Sequence, residues 1–166
     1  MKRVFDIAVS VLVLIITLPV TITAFLLVKL TSPGPAIFKQ TRMTVKNRQF
    51  EIYKFRTMYV EAENDTGPVI ASENDPRVTK IGKILRDLRI DELPQFINVL
   101  KGDMSIVGPR PERPFFVEQF SRDIPEYSHR YLVKAGITGY AQLLGKYDTS
   151  PEDKLRYDLL YIKDYN

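Results

Sequence analysis

The sequence predicts an α+β protein, mostly helical. It should have an N-terminal re-entrant membrane helix–break–helix, a small β-hairpin, and interfacial amphipathic helices around a compact core. Three observations carry that expectation. No residue from Ile7 to Val28 is charged, and Pro19 interrupts the run. Ala36–Arg42 and Gln49–Met58 are rich in aromatic and β-branched residues and flank a polar Thr44–Arg48 connection, the pattern of a hairpin. The rest of the chain sets helical apolar stripes between Pro and Gly breaks. The expected division is an anchoring helical hairpin over 1–32 and a second unit over 33–166.

At 166 residues the chain holds one sizeable core. It has no cysteine and one histidine, His129, which excludes disulfides, thiolate metal sites, a cysteine nucleophile and a multi-histidine metal site. Its net charge of +4 fits nucleic acid, anionic lipid or a phosphorylated ligand as a partner. No nucleic-acid motif is present. The mean hydropathy of -0.13 averages an apolar end with a polar remainder.

A straight helix over Ile7–Val28 would rise about 33 Å, enough for a bilayer core of roughly 30 Å. The run is too long for a cleaved signal peptide and no small-residue cleavage site closes it. Pro19 near its centre removes a hydrogen bond and clashes with the preceding turn, at about 3 kcal/mol. Thr17, Thr21 and Thr23 stand ready to satisfy freed carbonyls. Lys2 and Arg3 precede the run, and Lys29, Lys39, Arg42, Lys46 and Arg48 follow it. The positive-inside rule places both flanks on one face. A helix kinked at Pro19, entering and leaving by the same leaflet, satisfies it, and a single span does not. Thr31-Ser32-Pro33-Gly34-Pro35 ends the element.

In the hairpin, Phe50 and Ile52 alternate with Glu51 and Tyr53, and the two-residue period puts Lys54 and Arg56 on one face. That face is either a solvated edge or a phosphate-binding one. Glu61–Arg77 is acidic and carries Gly67-Pro68 and Asp75-Pro76, a loop with some role as a lid. Val78–Ile90 has a helical stripe at 78, 81, 84, 85 and 88, with Lys80, Lys83, Arg86 and Arg89 on other faces. It suits anionic lipid headgroups and a core-packed helix equally. Phe115–Tyr131 carries an aromatic stripe broken at Ile124-Pro125, for a core or an interface, and His129 within it reads as structural. Lys134–Tyr140 reads as a loop with two glycines. Ser150-Pro151-Glu152-Asp153 opens a helix with Ser150 as its cap.

The chemistry gathers at Asp91-Glu92-Leu93-Pro94. Proline is tolerated only in a helix's first turn, so the two carboxylates should lie at a helix N-terminus, with free N–H groups facing an arriving phosphate. Gly102 stops that helix. An Asp-Glu pair in this place is ordinarily a cap and a dipole partner. Val107-Gly108-Pro109-Arg110-Pro111-Glu112-Arg113-Pro114 follows, a stiff turn holding two guanidinium groups. Carboxylates beside fixed arginines point to phosphate-ester chemistry with a hard divalent cation.

These stretches resemble the bacterial sugar transferases, the monotopic phosphoglycosyl transferases. The matching residues are Lys2-Arg3-Val4-Phe5-Asp6, Ser32–Pro35, Tyr53–Met58, Asp75–Arg77, Asp91–Gln95, Lys101–Pro111 and Gly136–Gly139, in family order over nearly the whole chain. The resemblance implies transfer of a sugar-1-phosphate from a UDP-sugar to undecaprenyl phosphate with Mg²⁺, releasing UMP, as the first step of a surface glycan. It implies Asp91 as nucleophile through a covalent aspartyl intermediate, Glu92 as Mg²⁺ ligand, and Lys54 and Arg110 as phosphate-handling groups. Asp91, Glu92 and Arg110 are thus the catalytic candidates. Lys54, Arg56, Pro109, Pro111, Arg113 and Asp158 are the substrate-binding candidates. The implied place is the bacterial inner membrane, among its phospholipids, with a catalytic domain over 33–166 on the cytoplasmic face. The oligomeric state stays open.

The chain departs from the family pattern in three places: Leu18 stands where serine often precedes the membrane proline, Met43-Thr44-Val45 stands where a glycine is common, and the sequence stops at Tyr165-Asn166 where family members usually run on. With no accessory domain before Met1, it reads as the minimal catalytic unit. The competing reading is a catalytically inactive membrane scaffold of a glycan assembly complex, and intact Asp91, Glu92 and Arg110 stand against it.

Overall fold

A computed structural model describes residues 1–60, 62–63, 67–69, 75–145 and 149–165. The architecture is α+β and mostly helical, as the patterning predicts. Helix α1 spans Lys2–Ile16 and α2 spans Leu18–Thr31, and the pair is bent by 64°. The expected hairpin is therefore an open V, and its break lies at Thr17 rather than at Pro19. The cause is local. Proline has no N–H to give the preceding turn, so α1 ends first and Pro19 takes a first-turn position of α2. Thr17 closes α1 with its N–H and its hydroxyl on the Val13 carbonyl, at 2.8 and 2.7 Å. Thr23 donates to the Pro19 carbonyl at 2.9 Å, but the buried Thr21 hydroxyl has no partner among the described residues. No single helix among the described residues is long and apolar enough to cross a membrane.

Strands β1 (Ile37–Thr44) and β2 (Arg48–Phe55) pair antiparallel, Thr44 opposite Arg48 and Ile37 opposite Phe55. The turn between them uses left-handed backbone at Lys46 and Asn47, without glycine. Phe50 and Ile52 point one way, onto Val99 and Met104. Phe55 points the other way, onto Ala24, Val28 and Leu85. The hairpin thus divides two apolar clusters.

Helix α3 (Lys80–Asp87) starts on the Thr79 hydroxyl, which accepts from the Gly82 N–H at 2.9 Å. The stripe expected over Val78–Ile90 is split. Leu85 is buried and Ile81 packs on it, while Ile84 and Leu88 are exposed. Helix α4 (Gln95–Lys101) ends on left-handed Gly102, as expected. Strand β3 (Ser105–Val107) precedes α5 (Pro114–Asp123) and a 3-10 segment over Pro125–Leu132. In that stretch Phe116, Tyr127 and Tyr131 are buried, so the stripe belongs to the core, and His129 is exposed.

The two-glycine stretch at Lys134–Tyr140 is not only a loop. It holds β4 (Gly136–Thr138), parallel to β3 with Ser105 opposite Gly136. Gly136 is required there: a Cβ would lie 2.1 Å from the Gly108 nitrogen. Helices α6 (Tyr140–Leu144) and α7 (Pro151–Lys163) complete the chain, and Ser150 caps α7 through the Asp153 N–H. The loop expected over Glu61–Arg77 falls in large part outside the described residues.

Candidate active site

The site is built where α4 docks on the outer edge of β2. Asn98, fully buried, accepts from the Tyr53 N–H at 2.9 Å and donates to the Glu51 carbonyl at 2.7 Å. One side-chain amide therefore satisfies an edge-strand donor and acceptor together. This fixes the turn before α4 beside the end of β2. Asp91 and Glu92 lie in that turn, a 3-10 segment over Ile90–Glu92 that follows left-handed Arg89. Pro94 stands as the cap of α4, close to the predicted first-turn position.

The free N–H groups expected at this helix start are engaged. Glu92 and Leu93 donate to Arg89 and Ile90, and Phe96 and Ile97 donate to Leu93 and Pro94. Side chains supply the positive charge instead. Lys54 follows Phe50 and Ile52 on the buried face of β2, and its ammonium donates to Glu92 Oε1 at 3.0 Å. The Arg110 guanidinium donates to the same oxygen at 2.7 Å.

Backbone bonds hold Arg110 in place. Gly108 donates to Thr138, Gly136 donates to Pro109, and Met43 donates to Glu112, at 2.9, 2.8 and 3.0 Å. Arg42 donates to the Pro111 carbonyl at 3.2 Å. The buried Arg130 donates to the Arg110 carbonyl at 3.0 Å. The turn is stiff because each side of it is pinned, not only because it contains prolines.

The two carboxylates have opposite electrostatics. Burial acts to raise Glu92, but the Arg110 and Lys54 charges and their hydrogen bonds outweigh it and hold the group at about 2. Asp91 is 7% exposed and enters no ion pair among the described residues. Burial lifts its carboxyl above the usual carboxylate range; Lys54 opposes that and Glu92 adds to it. Burial also lowers the Lys54 ammonium, with Arg110 adding to the effect. A desolvated carboxylate beside a fixed cation pair is arranged for attack on an electrophile that brings its own negative charge.

A cavity of about 780 Å³ opens over this cluster. Eight basic and five acidic side chains line it, so it favours an anion. Of the predicted residues, Asp91, Glu92, Arg110, Lys54, Arg56 and Arg113 line it, and Pro109, Pro111 and Asp158 do not. Arg56 has a second task. Its guanidinium donates to the Ser32 carbonyl and hydroxyl at 2.8 and 2.9 Å, and to the Pro33 carbonyl, closing the end of α2. Arg113 makes a two-pronged pair with Glu63, both contacts at 2.8 Å. The Pro109 and Pro111 carbonyls accept the backbone and Arg42 bonds given above. Asp158 lies 2.7 Å from Arg130, behind the Arg110 turn.

Three of the basic cavity residues are not among the site candidates that the sequence offers. Arg42, which burial lowers to about 10, pairs with Glu112 at 3.6 Å. Arg86 donates to the Thr57 hydroxyl at 2.8 Å, and Arg89 enters no ion pair among the described residues. The sequence places Arg86 and Arg89 on a basic face that suits anionic lipid and a core-packed helix equally.

The sequence model of the bacterial sugar transferases matches residues 1–166. This chain belongs to the bacterial sugar transferase family. Among its relatives is a UDP-N-acetylgalactosamine-undecaprenyl-phosphate N-acetylgalactosaminephosphotransferase of Aeromonas hydrophila. It is 47% identical over 168 residues, covering 99% of this chain and 40% of that protein. A UDP-glucose:undecaprenyl-phosphate glucose-1-phosphate transferase of Escherichia coli (strain K12) is 47% identical over 171 residues, covering 100% and 37%. An exopolysaccharide production protein of Rhizobium leguminosarum bv. phaseoli is 39% identical over 179 residues, covering 100% and 87%. The chain spans about two fifths of the length of the first two relatives. As a bacterial sugar transferase, it carries Asp91 and Glu92 side by side in the lining of this charged cavity.

Proposed function

We propose that this bacterial sugar transferase moves a sugar-1-phosphate from a UDP-sugar to undecaprenyl phosphate and releases UMP. The observation that carries the reading is the division of labour in the pair. Glu92 is held by Lys54 and Arg110, while the adjacent Asp91 is desolvated and enters no ion pair among the described residues. The relatives named above supply the substrate classes by their names.

In the first step an Asp91 carboxylate oxygen attacks the sugar-bearing phosphorus, and the bond from that phosphorus to the bridging oxygen breaks. UMP leaves with that oxygen and its charge. In the second step a phosphate oxygen of the lipid attacks the same phosphorus and displaces the Asp91 carboxylate, giving the polyprenyl diphosphate sugar. Lys54 and Arg110 hold the diphosphate oxygens as charge shifts between them. The donor set beside Asp91 is all oxygen, and no larger acidic cluster occurs among the described residues. This suits Mg²⁺, which takes one or two carboxylates and completes its shell with phosphate oxygens and water. Glu92 would hold it, and when bound it offsets phosphate charge.

The V of α1 and α2 serves as a re-entrant anchor in this reading, placing the site at the cytoplasmic face of the inner membrane. Both of its ends are tied to the same body. Arg3 donates to the Leu100 carbonyl at 2.8 Å, Asp6 accepts from the Ser105 hydroxyl at 2.9 Å, and Arg56 closes α2. Ser10 and Ala24 are still covered, but Ile15 and Ile16 are 65% and 67% exposed. The uncovered arm from Ser10 to Thr17 rises about 10 Å, short of a ~30 Å core. Phospholipid is the partner this apex fits. A first step in surface glycan assembly follows from a lipid-linked sugar product.

The test is UMP release by the purified chain with undecaprenyl phosphate, Mg²⁺ and a panel of UDP-sugars. Multiple-turnover release that needs both lipid and metal, with no more than one UMP per chain when lipid is left out, supports the reading. No release with any donor returns the chain to the inactive-scaffold alternative.

A further inference from the structure

A second, smaller cavity of about 340 Å³ adjoins Glu92. Its walls are Leu93 in the turn before α4, Phe96 on α4, Ile137 on β4 and Leu143 on α6. Arg89 and Glu92 line this cavity and the large one alike. The two spaces therefore meet at Glu92. Leu143 and its neighbour Leu144 are 71% and 61% exposed, an apolar lip at the outer edge.

We propose that this chamber takes the isoprene units of the acceptor that adjoin its phosphate, with Arg89 meeting the phosphate at the junction. The proposal rests on the function proposed above. An acceptor with an anionic head and an apolar chain must bring its phosphate to Asp91. In the large cavity its chain would compete with the charged donor for a lining that carries eight basic and five acidic side chains. The smaller chamber offers mainly apolar walls, and each buried methylene there is favourable. The Arg89 guanidinium, free of ion pairs among the described residues, stands where the lipid phosphate would pass between the two spaces. Donor and acceptor then approach the carboxylates from different sides, and UMP departs without displacing the lipid.

The test separates acceptor from donor. Leu143→Trp narrows the chamber at an exposed position. Leu160→Trp, at an exposed apolar residue of α7 that lines neither cavity, is the control for a surface tryptophan. Steady-state transfer is measured against undecaprenyl phosphate and against the UDP-sugar, along with a single turnover of UMP release without acceptor. The expected result for Leu143→Trp is an acceptor KM raised roughly tenfold, the scale of a lost apolar contact in a pocket, with donor KM and the acceptor-free burst as in Leu160→Trp. Arg89→Gln should also raise the acceptor KM. An unchanged acceptor KM in Leu143→Trp overturns the proposal. So does a raised UDP-sugar KM, which would make the chamber the donor's sugar site. If the wild-type chain releases no UMP from any donor, the function itself fails and the chamber assignment falls with it.

Discussion

Arg130 and Asp158 pair at 2.7 Å with side chains 2% and 1% exposed, the most deeply buried ion pair among the described residues. Two opposite charges are in direct contact there, both withdrawn from water. Burial pushes the Asp158 carboxyl up, and the Arg130 charge opposes it. Arg130 also stacks its guanidinium 4.9 Å from the Tyr127 ring and donates to the Tyr127 hydroxyl. Its remaining reach goes to the Arg110 carbonyl. A helix near the end of the chain thereby sets the backbone of a residue that touches Glu92. Asp158 acts through Arg130 and is a positioning residue.

This arrangement separates stability from activity. Asp158→Asn leaves a buried guanidinium without its counter-charge and should cost about 3–5 kcal/mol. Replacing both partners by apolar groups, Arg130→Met with Asp158→Leu, should restore most of that stability. It should not restore the hold on Arg110. The expected result is a double variant with near wild-type melting and kcat down roughly tenfold, with a smaller change in KM for the UDP-sugar. Thermal melting and steady-state kinetics on one preparation check both halves. Wild-type kcat in the double variant would show the pair to be structural only.

Asp91→Asn should remove turnover by at least about a thousandfold, because the nucleophile is lost rather than weakened. Arg110→Lys should cost about a hundredfold or more. A lysine cannot reproduce the guanidinium fork on Glu92 and a phosphate at once. The acceptor-free burst of UMP distinguishes the two variants: absent in Asp91→Asn, slowed but present in Arg110→Lys. A full burst in Asp91→Asn would remove it as the nucleophile.

The elements written in local chemistry were legible in the sequence. The Ser150 cap, the Gly102 stop and the β1–β2 alternation depend on neighbours within a few residues, and each formed where the pattern put it. Pro19 announced the break in the apolar run, though the break lies at Thr17 because the missing N–H ends α1 before the proline. The β3–β4 pair was hidden: each strand has three residues, and their contact depends on Gly108 and Gly136 backbones meeting across the fold. The site divides in the same way. Asp91, Glu92, Lys54 and Arg110, singled out by charge, motif and resemblance, line one cavity. The Asn98 clamp and the Arg86 and Arg89 side chains were not singled out, because an amide or arginine in a helical stretch carries no mark of what it faces. Arg56 shows the converse, since its place beside Lys54 gave no hint that its guanidinium closes α2.

Gly136→Ala tests whether the short parallel pair holds the Arg110 turn. The added Cβ would lie 2.1 Å from the Gly108 nitrogen and 2.5 Å from its oxygen, so backbone must move. Overpacking of this kind costs about 1–3 kcal/mol. The displaced backbone adjoins Pro109 and Arg110, so activity should fall further than stability alone explains. The expected outcome is a folded variant with kcat reduced at temperatures well below its melting point. Unchanged kcat there would place the anchoring of Arg110 in the Arg130 contact alone.

The topology of the V is open to labelling, because the chain has no cysteine and single-cysteine variants carry no background. Cysteines at positions 2 and 46 lie on the two flanks of the apolar run. A re-entrant V puts both on the cytoplasmic side, and a crossing helix puts them on opposite sides. In intact cells an impermeant maleimide should leave both unlabelled, and it should label position 46 after the membrane is opened. Position 2 should label more slowly even then, since Lys2 lies against Ser105 and the Val107 carbonyl. Thr17→Cys, at the apex, should resist labelling from either side until detergent is added. Labelling of position 2 in intact cells would mean that the helix crosses. The contacts of Arg3 with α4 and of Asp6 with β3 could not then persist in the membrane, because they require the start of α1 to lie on the same side as the active site.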